Sequence, residues 1–225
     1  MKRIASILAI ALMAVLVVTP FASTATITCS QPILATSAGQ SAGLDTAMAV
    51  MDLATMYYDT CDAPQNAHIA SGVGIPAYTP KPGEALPLNV NRENDRPATA
   101  KYAKGTKYQT VMFIMGASTK GMGASGLNIE TELKRVNENI TWCRSNNVKM
   151  IGWQLEGVSQ RSKAGSDNER IYDAVTPNMN QLLVIKSAND YDNKFSTVAS
   201  QKSIPIEIYT SARDAAPILK KIFGL

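Results

Sequence analysis

Short apolar runs alternate along the chain with longer segments in which apolar residues recur every three or four positions. The runs predict buried β-strands, and the longer segments predict helices. The predicted strands span 33–36, 110–115, 148–154, 181–186 and 204–209, and the predicted helices span 44–58, 127–146, 167–175, 191–200 and 212–223. Because strands separated by helices form right-handed crossovers, we expect a three-layer, doubly wound α/β fold with a mostly parallel five-stranded sheet, flavodoxin-like or Rossmann-like.

One stretch, residues 62–107, lacks this alternation. It holds more than half of the chain's 11 prolines, which favour irregular backbone, and it is much longer than an ordinary connection. We interpret it as an insertion that packs on the rim of a single domain, residues 26–225. A lid over a binding site and a contact surface for a protein partner are the alternatives.

The first 25 residues have the pattern of an export signal. Lys2 and Arg3 precede an apolar run over 4–18, and a small-x-small cleavage site ends at Ala25. An uncleaved anchor would need about 20 apolar residues, and Pro20 closes this run early. The pattern therefore predicts a signal peptide, residues 1–25, and a periplasmic or secreted protein.

Export would permit disulfides. Cys29 stands before the first predicted strand and Cys61 after the first predicted helix, so both should lie at the same edge of the sheet. We therefore predict a Cys29–Cys61 disulfide. Cys143 continues the apolar stripe of the helix 127–146 together with Val136 and Ile140, which predicts a buried free thiol.

Composition narrows the possible functions. The 225 residues are 45% hydrophobic and 18% charged, which excludes a disordered chain. The net charge of +4 falls to about +2 without Lys2 and Arg3, too weak for a nucleic-acid or membrane-surface binder. The single histidine, His68, excludes a multi-histidine metal site, and its place in the insertion predicts a surface or rim residue.

Ligands of parallel α/β sheets bind outside the carboxyl ends of the strands. Five predicted loops lie there: 37–41, 116–126, 156–168, 187–193 and 210–211. The first two are rich in glycine and hydroxyl groups and lead into helices, whose N-termini attract anions. The candidate ligand-binding residues are the donors Ser37, Gln40, Ser41, Ser118, Lys120, Gly121 and Gly123, the charge partner Arg161, and the acceptors Asp167, Asn189 and Asp192. Alternatively, these glycines and hydroxyls only form tight turns and helix caps.

The glycines of the second loop match a dinucleotide fingerprint by letter, as Gly121-x-Gly123-x-x-Gly126. The context does not fit, because the predicted strand ends five residues too early and the next strand-end acid, Glu156, lies too far along the chain. We predict no cofactor and no metal.

The segments Thr36-Ser37-Ala38-Gly39-Gln40-Ser41 and 116–126, with Ser166-Asp167 and Asn189-x-x-Asp192, resemble an exported bacterial α/β domain family of unknown function. The resemblance covers nearly all of the chain after residue 25 except 62–107. It implies a single α/β domain behind a signal peptide, with no settled activity. Members usually carry a histidine at the position of Gln154. They also have Gly-Gly followed by two arginines, where this chain has Glu156-Gly157 followed by one arginine, Arg161. This departure argues against an acid–base or metal role at Gln154.

The leading hypothesis is an exported binding module for a small anionic or polar ligand at the carboxyl edge of the sheet. A hydrolase or transferase using Lys120, Glu156 or Asp167 is the alternative from a different class. A third possibility is a scaffold in an exported assembly that binds a protein partner through 62–107. No nucleic acid and, after signal cleavage, no membrane is expected as a partner.

Overall fold

The computed structural model describes residues 27–75 and 97–225. The predicted signal peptide, residues 1–25, and the central part of the predicted insertion, residues 76–96, lie outside the described residues. Within 27–75 and 97–225, no helix has both the length and the apolar character that crossing a membrane requires.

A parallel sheet of six strands in the order β2-β1-β3-β4-β5-β6 forms the middle layer. The strands are β1 (Ile33–Ala38), β2 (Tyr58–Thr60), β3 (Thr110–Met115), β4 (Lys149–Gln154), β5 (Gln181–Ile185) and β6 (Ile206–Tyr209). The helices are α1 (Gly43–Leu53), α2 (Asn66–Ser71), α3 (Thr119–Ala124), α4 (Ile129–Ser145), α5 (Asp167–Val175), α6 (Lys186–Asn189), α7 (Lys194–Lys202) and α8 (Ala215–Phe223). Short 3₁₀ turns span Ala98–Ala100, Gly157–Gln160, Thr176–Asn178 and Ala212–Asp214.

Both faces of the sheet are covered, which explains why the strands are nearly continuous apolar runs. Strands β1 and β3 are buried at every position. Helices α1 and α8 pack with one core cluster, and α4, α5 and α7 pack with the other. This arrangement confirms the predicted doubly wound α/β class. The strand order reverses direction between β1 and β3, which is the topological switch point.

The first predicted helix, 44–58, is too long, and the predicted strand count is one too few. Helix α1 ends at Leu53, where Thr55 adopts a left-handed conformation with φ of 60°. The amide of Met56 then donates to Met51 O at 3.1 Å, as in a Schellman motif. The chain then enters β2, and Met56, Tyr57 and Tyr58 continue the apolar pattern of the helix across this break.

Strand β2 also makes the predicted Cys29–Cys61 disulfide wrong. Cys29 precedes β1 and lies at the amino edge of the sheet, where its amide donates to Ile222 O at 2.9 Å. Cys61 follows the parallel strand β2, so it lies at the carboxyl edge, and the two side chains pack in opposite core clusters. All three cysteines are free and buried. The expectation for Cys143, a buried thiol on the inner face of α4, is confirmed.

A buried carboxylate on β2 fixes both described ends of the insertion. Asp59 accepts hydrogen bonds from Gly74 N at 2.8 Å and from Ala98 N at 3.0 Å. The Tyr108 hydroxyl donates to the same carboxylate at 2.6 Å. The positions where the chain leaves this edge of the sheet and where it returns, Gly74 and Ala98, are therefore both bound to the Asp59 side chain.

Thiol titration provides a test of the cysteine assignment. Burial raises the pKa of Cys29 to about 11 and the pKa values of Cys61 and Cys143 to about 12, so thiolate is scarce at neutral pH. We expect the native, unreduced protein to react very slowly with Ellman's reagent, and the protein unfolded in guanidinium chloride to release three equivalents. Release of a single equivalent from the unfolded, unreduced chain would mean that a disulfide exists.

Candidate functional site

The first two strand-end loops bind each other at the switch point between β1 and β3. The amide of Gly116 donates to Ala38 O at 3.0 Å, Ser41 N donates to Gly116 O at 3.2 Å, and Ser118 N donates to Gly39 O at 2.8 Å. These bonds continue the pairing of the strands beyond their ends. The two loops are therefore held together at the edge where the sequence places the site.

Three of the predicted ligand-binding residues strengthen this pairing. The Gln40 side chain donates to Asp62 O at 2.8 Å and accepts from the Ser125 hydroxyl at 3.2 Å. Ser118 caps α3 by accepting from Gly121 N at 3.0 Å. Gly121 packs so closely on the Gln40 carbonyl that a Cβ atom there would collide with it. The structure thus gives Gln40, Ser118 and Gly121 roles in the conformation of the loops, and a ligand contact by them stays a prediction.

A buried ion pair that the sequence analysis missed supports the first loop from helix α4. Glu132 Oε1 accepts from Gly39 N at 2.8 Å and from Arg135 Nη2 at 2.6 Å. The same Nη2 donates to Ser37 O at 2.8 Å. Both side chains are buried. The available signal was their spacing of three residues next to the apolar stripe of α4, which places them on one face of the helix.

Glu156 points its carboxyl group into the switch point. A Cβ atom at Gly116 would collide with Glu156 Oε2 and with the Ser41 hydroxyl, and a Cβ atom at Gly43 would lie 3.0 Å from the same Oε2. The carboxyl group therefore lies beside the N-terminus of α1. Oε2 is buried and has no hydrogen-bond partner. Burial raises the pKa of Glu156, and the neighbouring Ser41 hydroxyl opposes this only in part.

Two further buried polar atoms near the carboxyl ends of strands have no hydrogen-bond partner, namely Ser37 Oγ and Gln154 Oε1. Ser37 follows Ile33 and Ala35 in the strand alternation and so lies on the α1 side of the sheet. Gln154 lies on the opposite side, where its amide donates to Gly157 O at 3.2 Å. Buried polar atoms are nearly always paired, so unpaired atoms on both sides of the sheet at its carboxyl edge are unusual.

Arg161 and Asp192, two other predicted residues, form an ion pair with each other. The Arg161 guanidinium binds Glu169 at 2.8 and 3.1 Å, Asp192 at 2.9 Å and Ala188 O at 2.6 Å. Burial disfavours its charge, yet these carboxylates outweigh burial and raise the pKa of Arg161. The aromatic rings of Tyr172, Tyr191 and Phe195 surround the guanidinium at 5.6, 4.9 and 5.1 Å. This network joins the segments that follow β4 and β5.

The other predicted residues are distributed along the same edge. Asn189 is buried and accepts from the Ser196 amide and hydroxyl at 3.0 and 2.9 Å. Asp167 is half-buried in the first turn of α5, which is tied to the second loop because Asn168 accepts from Ala117 N at 2.6 Å. Two residues of α3, Lys120 and Gly123, are exposed.

His68 caps helix α2, where its Nδ1 accepts from Gln65 N at 3.2 Å. Across residues 27–75 and 97–225, no cluster of three His, Cys, Asp or Glu side chains is arranged to hold a metal ion.

The buried ion pair on α4 is testable by a charge-neutralising substitution. Glu132→Gln leaves the Arg135 guanidinium buried without its counterion, so we expect the free energy of unfolding to fall by roughly 3–5 kcal/mol. Glu138→Gln is the matched control, because it makes the same change on the same helix in an exposed pair with Lys134. That control should change stability by less than about 1 kcal/mol. Equal losses in urea denaturation would contradict the proposed importance of Glu132.

The raised pKa of Glu156 predicts a pH-dependent stability difference. The folded protein binds this proton more tightly than the unfolded chain, so the stabilising contribution is complete below the unfolded pKa of about 4.3 and is lost as pH rises through the folded pKa. Glu156→Gln removes this dependence. We therefore expect urea denaturation to show the variant gaining stability relative to the wild type as pH rises. A difference that is constant with pH would contradict the assignment.

Comparison with known proteins identifies the family. A family model described as a domain of unknown function, DUF6305, matches residues 30–223. No curated protein and no solved structure matches the chain. The match covers both loops of the switch point and all six strands, and the chain therefore belongs to the DUF6305 family.

Proposed function

We propose that this protein binds a small anionic ligand, a carboxylate or a phosphate, at the switch point between β1 and β3. The observation that carries the proposal is the buried and unpartnered Oε2 of Glu156 beside the N-terminus of α1. In parallel α/β proteins this is the usual position of a ligand, and a helix N-terminus there favours negative charge.

The protonation of Glu156 explains how an acidic side chain can receive an anion. Burial raises the pKa of Glu156, so protonating this carboxyl group costs less free energy than protonating an exposed one. In its protonated form the group can donate a hydrogen bond to an anionic oxygen. Ser41 and Ser37 add hydroxyl groups on the same side of the sheet. The positive charge in this proposal comes from the exposed Lys120, since the Arg161 guanidinium is committed to protein acceptors.

The proposal includes export from the cytoplasm. Its support is the pattern of residues 1–25, with a basic start, an apolar run and a cleavage site after Ala25. The mature protein would then meet its ligand in the periplasm or outside the cell. Partner binding through 62–107 belongs to the alternative scaffold role, which gel filtration with and without that segment would test.

Acid–base catalysis is the second candidate function, and the observation that favours it is the raised pKa of Glu156. A carboxyl group with a perturbed pKa in a strand-end site is a common general acid or base. Glu156 has this property, whereas Lys120 and Asp167 stand at the rim of the same edge as further candidates. Catalysis predicts turnover of an ester, phosphate or glycoside that Glu156→Gln abolishes while ligand affinity is retained.

A thermal-shift screen at two pH values tests the binding proposal. The probes are acetate, succinate, lactate, citrate and inorganic phosphate, at pH 5 and pH 8. A ligand at 100 times its Kd adds about 2.7 kcal/mol to stability, which is easily measured. We expect at least one anion to raise the Tm, and to raise it more at pH 5, because binding takes up the proton on Glu156.

Two variants sharpen this result. Glu156→Gln keeps a hydrogen-bond donor at all pH values, so anion binding should persist and lose its pH dependence. Lys120→Ala should weaken anion binding several-fold. Lys202→Ala is the control, because it removes the same exposed charge at the C-terminal end of α7, which leads into the amino edge of β6. This control should leave anion binding unchanged. The proposal fails if none of the five anions raises the Tm, or if binding tightens as pH rises.

A further inference from the structure

Two buried oxygen atoms outside the sheet also lack hydrogen-bond partners. They are Asn66 Oδ1, at the start of α2, and Asn139 Oδ1, on α4. Asn139 uses its amide group to donate to Pro64 O at 2.9 Å, which ties the segment before α2 to α4. Helices α2 and α4 thus meet at a junction that is held by hydrogen bonds but retains unused acceptors.

A groove of about 610 Å³ opens at this junction. Asn66 lines it from α2, and the outer face of α4 from Lys134 to Ser145 forms the rest of its wall. Its volume lies within the range of about 300–1,000 Å³ that is typical of small-molecule sites. Trp142 contributes an indole ring that is only partly buried, with its inner side packed on the core.

The charges of the groove cancel. Lys134 Nζ and Glu138 Oε1 are 3.9 Å apart, one turn from each other on α4. The groove is also lined by neutral polar groups, namely the Asn137 amide and the Thr141 hydroxyl. This hydroxyl donates to Asn137 O at 2.8 Å. The groove therefore offers an aromatic surface bordered by neutral hydrogen-bonding groups and favours neither an anion nor a cation.

We propose that this groove binds a neutral oligosaccharide, with the Trp142 ring under the apolar face of a sugar and Asn66 Oδ1 accepting a hydrogen bond from a sugar hydroxyl. An entirely apolar ligand would leave that buried oxygen unpaired, which costs free energy, whereas a polyhydroxylated ligand satisfies it. The lining face of α4, from 134 to 145, is about 16 Å long at 1.5 Å per residue, which suits several sugar rings in a row. The inference is independent of the anion site at Glu156.

Intrinsic fluorescence tests the proposal, because the chain has two tryptophans and only one borders the groove. Trp153 is fully buried and its indole donates to the Tyr209 hydroxyl at 2.8 Å. The probes are maltohexaose, cellohexaose and chitohexaose, titrated into the full mature chain. At least one should cause a saturable fluorescence change and should protect the exposed tryptophan from acrylamide quenching.

Three variants assign the effect to the groove, with calorimetry as the readout. Trp142→Ala should abolish binding. Thr141→Arg places a bulky side chain at an exposed helical position, so it should block the groove without loss of folding stability. Asn66→Ala should weaken binding about tenfold through the lost hydrogen bond.

Two cross-controls separate this groove from the anion site. Glu156→Gln should leave saccharide affinity unchanged, and Thr141→Arg should leave anion binding unchanged. The proposal is overturned if none of the three saccharides gives a saturable change, or if Thr141→Arg binds them as the wild type does.

Discussion

Two opposite charges are buried between helix α4 and the carboxyl end of β1, where water can solvate neither of them. Burying an ion pair is costly unless each charge also has further hydrogen bonds. Glu132 meets this requirement through Gly39 N, and Arg135 meets it through Ser37 O. Because the pair needs these backbone groups in place, the first loop has one position relative to α4. The position of the second loop is then also determined, because this loop is hydrogen-bonded to the first.

The polar atoms of the structure divide into satisfied and unsatisfied groups with different locations. The side chains that link the strand-end loops, Gln40 and Arg161 among them, have several protein partners each. The buried side-chain atoms without partners within 27–75 and 97–225 fall into two places, the carboxyl ends of β1 and β4 and the junction of α2 with α4. The satisfied groups hold the strand-end loops together, and the unsatisfied atoms are where a ligand would gain most from binding.

The sequence was sufficient for features that depend on local pattern. Apolar runs identified five strands, and glycine and serine after two of them located the loops of the switch point. Strand β2 was missed because it is only three residues long and because Met56, Tyr57 and Tyr58 continue the apolar pattern of α1. The error moved Cys61 to the wrong edge of the sheet. The pair of Glu132 and Arg135 was missed for a different reason. A charged residue on a helix is usually solvated, and only tertiary contacts distinguish these two from their exposed neighbours.

Asp59 has a consequence for how this fold can change during evolution. It holds the chain at Gly74 and again at Ala98, so the chain departs from one point on β2 and comes back to the same point. The entropy of closing such an excursion rises only slowly with its length. Insertions or deletions within it would leave the register of β3 intact, because the anchor fixes where the chain re-enters the domain. A segment of this kind can be replaced or lengthened among relatives while the sheet and its strand-end loops keep their geometry.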